Sequence, residues 1–127
     1  MMLVGPINSG LTTGGAGVST ANADSKTILR GRLVGIYLKH NGSPPATSDV
    51  VVKTKGTAPY PPSYNLLTRT NLQTDGWFYP QVAVTDVAGV AIAGEYGYQV
   101  VHDYINVSIA QANDGDSVDV WLLLSNY

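Results

Sequence analysis

Hydrophobic and polar residues alternate along most of the chain beyond residue 26, as they do in β-strands with one buried face. The clearest case is the last such segment, in which every even position from Val118 to Leu124 is aliphatic. No stretch repeats its hydrophobic residues at the spacing of an amphipathic helix. Short strands bounded by Gly, Pro, Asn and Asp recur through the chain. This pattern predicts an all-β fold, a single antiparallel β-sandwich of jelly-roll or immunoglobulin-like type.

The first strand of this region changes phase part-way along. Leu29 and Leu33 face one way and Arg30 and Arg32 the other, but the apolar positions become even from Val34 onward. A one-residue shift of this kind predicts a β-bulge or a sharp bend. We interpret the two arginines, with Lys53 and Lys55 on another strand, as a small basic patch and as candidates for contact with an acidic partner surface.

The segment before the first clear strand, residues 1–26, is rich in Gly, Ser, Thr and Ala and has little to bury. Because such a segment does not offset its own ordering entropy, it predicts an extended N-terminal arm that is flexible in the free protein. We therefore divide the chain into this arm and a β-sandwich domain of residues 27–127. Leu3, Val4 and Ile7 are the apolar residues with which the arm could dock onto a neighbour during assembly.

Composition excludes several classes of protein. The chain has 127 residues, with seven Lys and Arg, nine Asp and Glu and a net charge of −2, which argues against nucleic acid as a partner. It has no cysteine, which excludes disulfide bonds and Cys-bound zinc and suits assembly in a reducing cytoplasm. No apolar run approaches the length of a membrane helix, and the first residues lack the basic start of a signal peptide. We therefore expect no membrane partner.

The densest group of oxygen ligands is the turn Asn113–Asp116, with Asp119 nearby. These residues suit a calcium ion, but Asp-Gly is also a common hairpin turn, and the EF-hand spacing is absent. His40 and His102 are far apart in the sequence and match no metal-binding motif. There is no nucleophile-elbow motif, although a Ser-His-Asp set assembled in space leaves a small hydrolase as a weaker alternative. We predict no enzyme, no cofactor and no metal ligands.

The last strand places Trp121 and Leu123 on the face opposite its aliphatic residues. Because each sheet of a sandwich turns one face to the core, this pair belongs on the outer face, where an apolar patch often marks an interface, and we predict that copies of the chain associate through it. The alternative is that the proline-rich loop Pro59–Ser63 covers the pair. The chain also has eight tyrosines, whose rings could stack on sugars, although packing within the fold is the simpler explanation.

Two segments resemble a known family. They are Leu67–Pro80, which contains Thr-Asp-Gly-Trp-Phe-Tyr-Pro, and Tyr104–Val118, which contains Ala-Gln-Ala-Asn-Asp-Gly-Asp. Together they are similar to small β-rich virion proteins of tailed bacteriophages, particularly aquatic ones, of the capsid decoration or cement type. The resemblance implies a structural protein on the outer capsid surface of the virion, assembled in the host cytoplasm. It also implies the major capsid protein and further copies of the chain as partners, in a homotrimer or, as second choice, a dimer. It carries over no catalytic residue.

One other function class is open from the sequence. The aromatic residues and the β-rich pattern also suit a receptor- or glycan-binding module of a phage tail fibre or spike. A decoration protein works through many weak contacts that add by multivalency, whereas a tail-tip module is present in few copies. The copy number on the virion therefore distinguishes the two.

Overall fold

The computed structural model describes residues 1–126, and over that range it consists of β-strands and connecting loops with no helix, so none that could cross a membrane. The prediction of an all-β fold is confirmed. The strands are β1 (Met2–Asn8), β2 (Ser19–Asp24), β3 (Leu29–Asn41), β4 (Asp49–Thr54), β5 (Asn65–Arg69), β6 (Gly76–Phe78), β7 (Val82–Thr85), β8 (Ala91–Gly97), β9 (Gln99–Asp103), β10 (Ile105–Ala112) and β11 (Ser117–Ser125).

Two antiparallel sheets form a sandwich. The five-stranded sheet has the order β1-β11-β3-β6, with β9 also paired to β3, and the four-stranded sheet has the order β2-β10-β4-β5. The pairs are nested, since β1 pairs with β11, β2 with β10, β3 with β9 and β4 with β5. Nested pairing is what results when one long hairpin is rolled up into two sheets. This is the arrangement of a jelly roll, one of the two sandwich types that the sequence predicts.

The core lies between the inner faces of the two sheets. The predicted inward residues of the last strand, from Val118 to Leu124, are buried there, as are alternate residues of β10. Their burial removes aliphatic surface from water and is the main stabilising contribution to this fold. The buried apolar residues are Ile7, Leu29, Leu33, Ile36, Leu38, Val50, Val52, Leu66, Leu72, Val101, Ile105, Val107, Ile109, Ala112, Val118, Val120, Leu122 and Leu124.

The predicted bulge in β3 is present. Leu123 of β11 pairs with Gly35, but the next residue, Leu124, pairs with Leu33, so Val34 is the extra residue on β3. This insertion returns the apolar residues of both halves of β3 to the core face although their parity changes along the chain. The change of phase in the hydrophobic pattern therefore corresponds to a β-bulge in the backbone.

The predicted N-terminal arm is not confirmed. Residues 2–8 form an edge strand that pairs with β11 from Met2 opposite Leu124 to Asn8 opposite Asp119. Residues 19–24 form a second edge strand on β10. Backbone N–H and C=O groups pair whatever their side chains, and the nested topology offers a partner strand at both positions. The first segment of the chain thus completes both sheets.

An exposed hairpin interrupts the opposite edge of the five-stranded sheet. β6 pairs with Ile36–Leu38 of β3, and β9 pairs with Leu29–Leu33 of the same strand. Between them the chain leaves the sheet and forms β7 and β8, which make a two-stranded sheet of their own. Its turn is closed by Asp86, whose carboxylate accepts hydrogen bonds from the backbone N–H groups of Ala88 at 2.9 Å and Val90 at 3.0 Å. We call residues 80–98 the β7–β8 hairpin.

Candidate interaction surfaces

The residues predicted to contact partners separate onto two faces. Leu3 lies opposite Leu123 on the outer face of the five-stranded sheet and is 56% exposed, and Trp121 lies half-buried on the same face. Val4 and Ile7 point the other way. Ile7 is 8% exposed within the core, and Val4 packs against that core. These two residues therefore stabilise the sandwich of the single chain, in which β1 is part of the sheet, and their docking onto a neighbour stays a prediction.

Four aromatic side chains form a row on this outer face. Tyr37 of β3 pairs with Trp121 on one side and with Trp77 of β6 on the other. The ring centroid of Tyr37 lies 5.7 Å from that of Trp121 and 5.4 Å from that of Trp77. The Trp77 ring lies nearly parallel to that of Tyr79, at 6.2 Å. Trp77 and Tyr79 are 42% and 63% exposed, so this aromatic row offers ring faces to a partner.

The proline-rich loop does not cover the aromatic row. Its Tyr60 ring lies 5.8 Å from the ring of His102 in β9, at the other end of the sheet. The neighbours of Trp121 are instead Tyr37 and, across β1, Gly5. Trp121 is therefore half-covered by its own sheet, which neither of the two interpretations from the sequence anticipates.

The acidic turn after β10 is held together by N–H donors. Asp116 is buried, and its carboxylate accepts hydrogen bonds from the backbone N–H groups of Asn113 and Ser43, each at 2.9 Å. Asp119 accepts hydrogen bonds from two asparagine side chains, at 2.7 and 3.0 Å. Within residues 1–126 no three acidic or histidine side chains come close enough to share a metal ion. The carboxylates of Asp116 and Asp119 therefore stabilise the turn and the neighbouring strands through hydrogen bonds.

The two histidines lie in different environments. Both ring nitrogens of His40 are buried and have no hydrogen-bond partner among the described residues, and burial lowers the pKa of this imidazole. His102 is exposed beside Arg30 on the neighbouring strand. The structure therefore does not bring the two histidines together.

Arg30 and Arg32 lie at the end of the five-stranded sheet where β3 pairs with β9. Arg30 is opposite His102 and Arg32 is opposite Val100, which is 51% exposed. Arg32 donates a hydrogen bond to the carbonyl of Asn126 at 3.3 Å. In the part of the chain that is described, the one ion pair is on the other sheet, so neither arginine has a carboxylate partner there. We call this surface the basic end.

The outer face of the four-stranded sheet is polar and carries Lys53 and Lys55. The Lys55 ammonium lies 2.8 Å from the Asp24 carboxylate, which also accepts a hydrogen bond from Asn106 at 2.9 Å. The bond from Lys55 lowers the pKa of Asp24, and the same contact raises the pKa of Lys55. A shallow cleft of about 420 Å³ lies here, lined by Asn22, Asp24, Lys53, Lys55, Asn106 and Ser108.

The β7–β8 hairpin is a surface that alternation alone did not reveal. Every residue from Gln81 to Tyr96 is exposed. Val82 and Val84 share one face of the hairpin, and the register that pairs Thr85 with Ala91 places Ile92 on that same face. Further exposed apolar residues, Val87 and Val90, lie at the turn.

No family model matches this chain, and comparisons with curated proteins and with solved structures found no match. The jelly roll is shared by viral capsid domains, lectins and cupins, so the fold alone does not specify a function. The exposed surfaces are the features of this molecule that bear on what it does.

Proposed function

We propose that this protein is a structural virion protein of the decoration or cement type, which binds the outer surface of a tailed-phage head and stabilises it. Its partners in this role are the major capsid protein and further copies of itself, in a homotrimer or, as second choice, a dimer. It is assembled in the host cytoplasm and resides on the virion surface. The role calls for no catalysis and no cofactor.

The observation that carries this proposal is the presence of two separate exposed apolar surfaces on one small domain. The aromatic row lies on the outer face of the five-stranded sheet, and the β7–β8 hairpin projects from an edge of that sheet. Exposed apolar surfaces of this kind mark interfaces. A cement subunit needs one contact with the capsid lattice and one with its own copies, and multivalency then turns weak contacts into stable attachment.

The sequence resemblance supports the same role. The segment Leu67–Pro80, on which the resemblance depends, also supplies Trp77 and Tyr79 of the aromatic row. We assign the aromatic row to the capsid contact, because its rings come from a rigid sheet and so lose little freedom on binding.

The test is quantitative mass spectrometry of purified virions of the phage that encodes the protein. A cement protein is present at a copy number comparable with that of the major capsid protein. Heads that lack the protein should bind added wild-type protein, and Trp77→Ala should weaken binding, whereas the matched control Asn106→Ala on the polar face should not. A few copies per virion, or none, would contradict the proposal.

A second candidate function is a receptor- or glycan-binding module of a tail fibre or spike. The aromatic row favours it, because sugar rings stack on aromatic faces. Asp119 lies two residues before Trp121 on the same face of β11 and, with Asn8 and Asn41, places carboxylate and amide groups beside the row. Tryptophan fluorescence titrations with glycans selected on an array test this role. Saturable quenching that Trp77→Ala abolishes and Asn106→Ala preserves would support it, and absence of any glycan response would exclude it.

A further inference from the structure

We propose that the β7–β8 hairpin is the self-association element of this protein, and that it binds the basic end of the five-stranded sheet of a second copy. The inference deepens the proposed function and rests on it for its biological setting. The contact joins Glu95 and the apolar face of one hairpin to Arg30, Arg32 and Val100 of the other copy.

The sandwich closes without the hairpin. On β3, the residue paired with Phe78 of β6 is Ile36, and the residue paired with Gln99 of β9 is Leu33. On β3, only Val34 and Gly35 separate Leu33 from Ile36. Between their partners Phe78 and Gln99, the chain forms the whole hairpin. β6 and β9 are therefore two halves of one edge strand, and the hairpin is an insertion that leaves the core intact.

The hairpin requires cover that its own chain does not provide. It forms a two-stranded sheet with an apolar face of Val82, Val84 and Ile92, all of them exposed. A two-stranded hairpin without a packing partner is marginally stable in water. Its exposed valines and isoleucine therefore become buried when the molecule assembles.

Charge identifies the second copy as the occupant. The hairpin carries the carboxylates of Asp86 and Glu95 and no Lys, Arg or His. Contact between two hairpins would bring like charges together. The basic end instead combines exposed Arg30 and Arg32 with the exposed aliphatic surface of Val100. An acidic, apolar hairpin and a basic, apolar sheet end are complementary in both respects.

The proposed contact joins two different surfaces, the hairpin of one copy and the basic end of the next. Each copy therefore has one of each surface free to bind a further copy. Such heterologous contacts close into rings when the rotation between copies allows it. The hairpin is not seated on its own sheet, because every residue from Gln81 to Tyr96 is exposed in the single chain. A ring in which each hairpin reaches the next copy is compatible with the proposed trimer.

The experiment measures molar mass by sedimentation and light scattering over a range of concentration and salt. Wild-type protein should be oligomeric and should dissociate as salt rises. Arg30→Glu and Glu95→Lys should each weaken association about tenfold or more, which corresponds to about 1.4 kcal/mol. The double variant R30E/E95K restores the charge pair with inverted polarity and should recover the oligomer. Lys26→Glu and Asp114→Lys are matched controls at exposed positions elsewhere and should leave the mass unchanged.

Three results would overturn the inference. They are a monomeric wild type at the highest soluble concentration, a double variant that stays dissociated, and an oligomer that survives replacement of residues 80–98 by a Gly-Ser link. Circular dichroism of each variant verifies that the sandwich is folded. A monomer present in many copies on the virion would reject this inference and retain the cement function. Recovery of the oligomer in the double variant, for a protein that is absent from virions, would support this inference and reject the cement function.

Discussion

The N-terminal segment and the β7–β8 hairpin have similar shares of aliphatic residues but opposite environments. Residues 1–24 are rich in Gly, Ser, Thr and Ala, yet they provide an edge strand to each sheet and place Ile7 in the core. The hairpin is rich in valine, yet every residue from Gln81 to Tyr96 is exposed. Incorporation into the sandwich therefore depends on whether the topology offers a partner strand, and apolar content alone does not decide it.

The cause lies in the nested pairing of the jelly roll. β10 and β11 are long strands with two sides to pair, and β1 and β2 occupy the sides that would otherwise be open edges. The hairpin pairs only within itself, since β6 and β9 already fill the edge of β3 from which it emerges. The N-terminal segment is thus held by backbone hydrogen bonds to β10 and β11, and the hairpin, with a similar share of aliphatic residues, is left exposed.

The largest expected effect comes from removing each segment in turn. Deletion of residues 1–8 strips Ile7 from the core and uncovers one side of β11, so we expect loss of cooperative thermal unfolding or a large drop in melting temperature. Replacement of residues 80–98 by a Gly-Ser link should retain the β-sheet circular dichroism and shift the melting temperature by only a few degrees. A hairpin replacement that unfolds the protein would contradict this comparison.

Much of the sandwich could be predicted from the sequence, because burial of one face imposes period-two alternation. The inward residues of β10 and β11 and the bulge at Val34 follow from that pattern alone. The edge strands β1 and β2 could not be predicted, since main-chain pairing leaves little trace in side-chain composition. Alternation in the hairpin shows that its two faces differ, but it does not show that either face is covered.

The candidate surfaces were less predictable than the core. Trp121 was placed on the outer face correctly, because it has the opposite parity to the buried leucines. Its neighbours Tyr37 and Trp77 come from distant strands, and their adjacency depends on the register of β3 with β6 and β11. The alternation pattern carries no information on that register, so the aromatic row emerges only from the structure.

The next largest expected effect is the loss of stability when an isoleucine is replaced by alanine in the N-terminal segment or in the hairpin. Ile7→Ala removes a side chain that is 8% exposed in the core, and we expect the free energy of unfolding to fall by about 2–4 kcal/mol. Ile92→Ala removes one that is 44% exposed on the hairpin, and the change in the monomer should be below about 0.5 kcal/mol. Urea denaturation measures both. Equal losses would mean that the hairpin contributes to the core.

Glycine substitutions extend the comparison to the backbone. Gly5 has φ +141°, and a Cβ there would lie 2.7 Å from the carbonyl oxygen of Val120, so Gly5→Ala adds a steric clash to backbone strain. Gly89 in the hairpin turn has φ +82°, but a Cβ there would meet no atom of the described residues within 4 Å. We expect Gly89→Ala to cost about 1 kcal/mol from its left-handed conformation alone and Gly5→Ala to cost more. Thermal unfolding of the two variants should rank them in that order.

The smallest expected effect is a pH dependence that belongs to the sandwich and not to the hairpin. Burial lowers the pKa of His40 below its ordinary value of 6.5, while Asp75 and Asp116 oppose the shift. The unfolded chain therefore takes up the proton first as pH falls, and stability decreases from about pH 6.5 downward until the folded state is also protonated.

His40→Gln removes the titrating ring and should flatten this part of the profile, measured by urea denaturation from neutral to mildly acidic pH. The variant in which a Gly-Ser link replaces the hairpin should keep the wild-type slope, because His40 lies at the end of β3, where its backbone N–H bonds to Asp75. Parallel profiles for wild type and His40→Gln would show that the imidazole is not responsible. A slope lost together with the hairpin would mean that the two regions are energetically coupled despite their separate sheets.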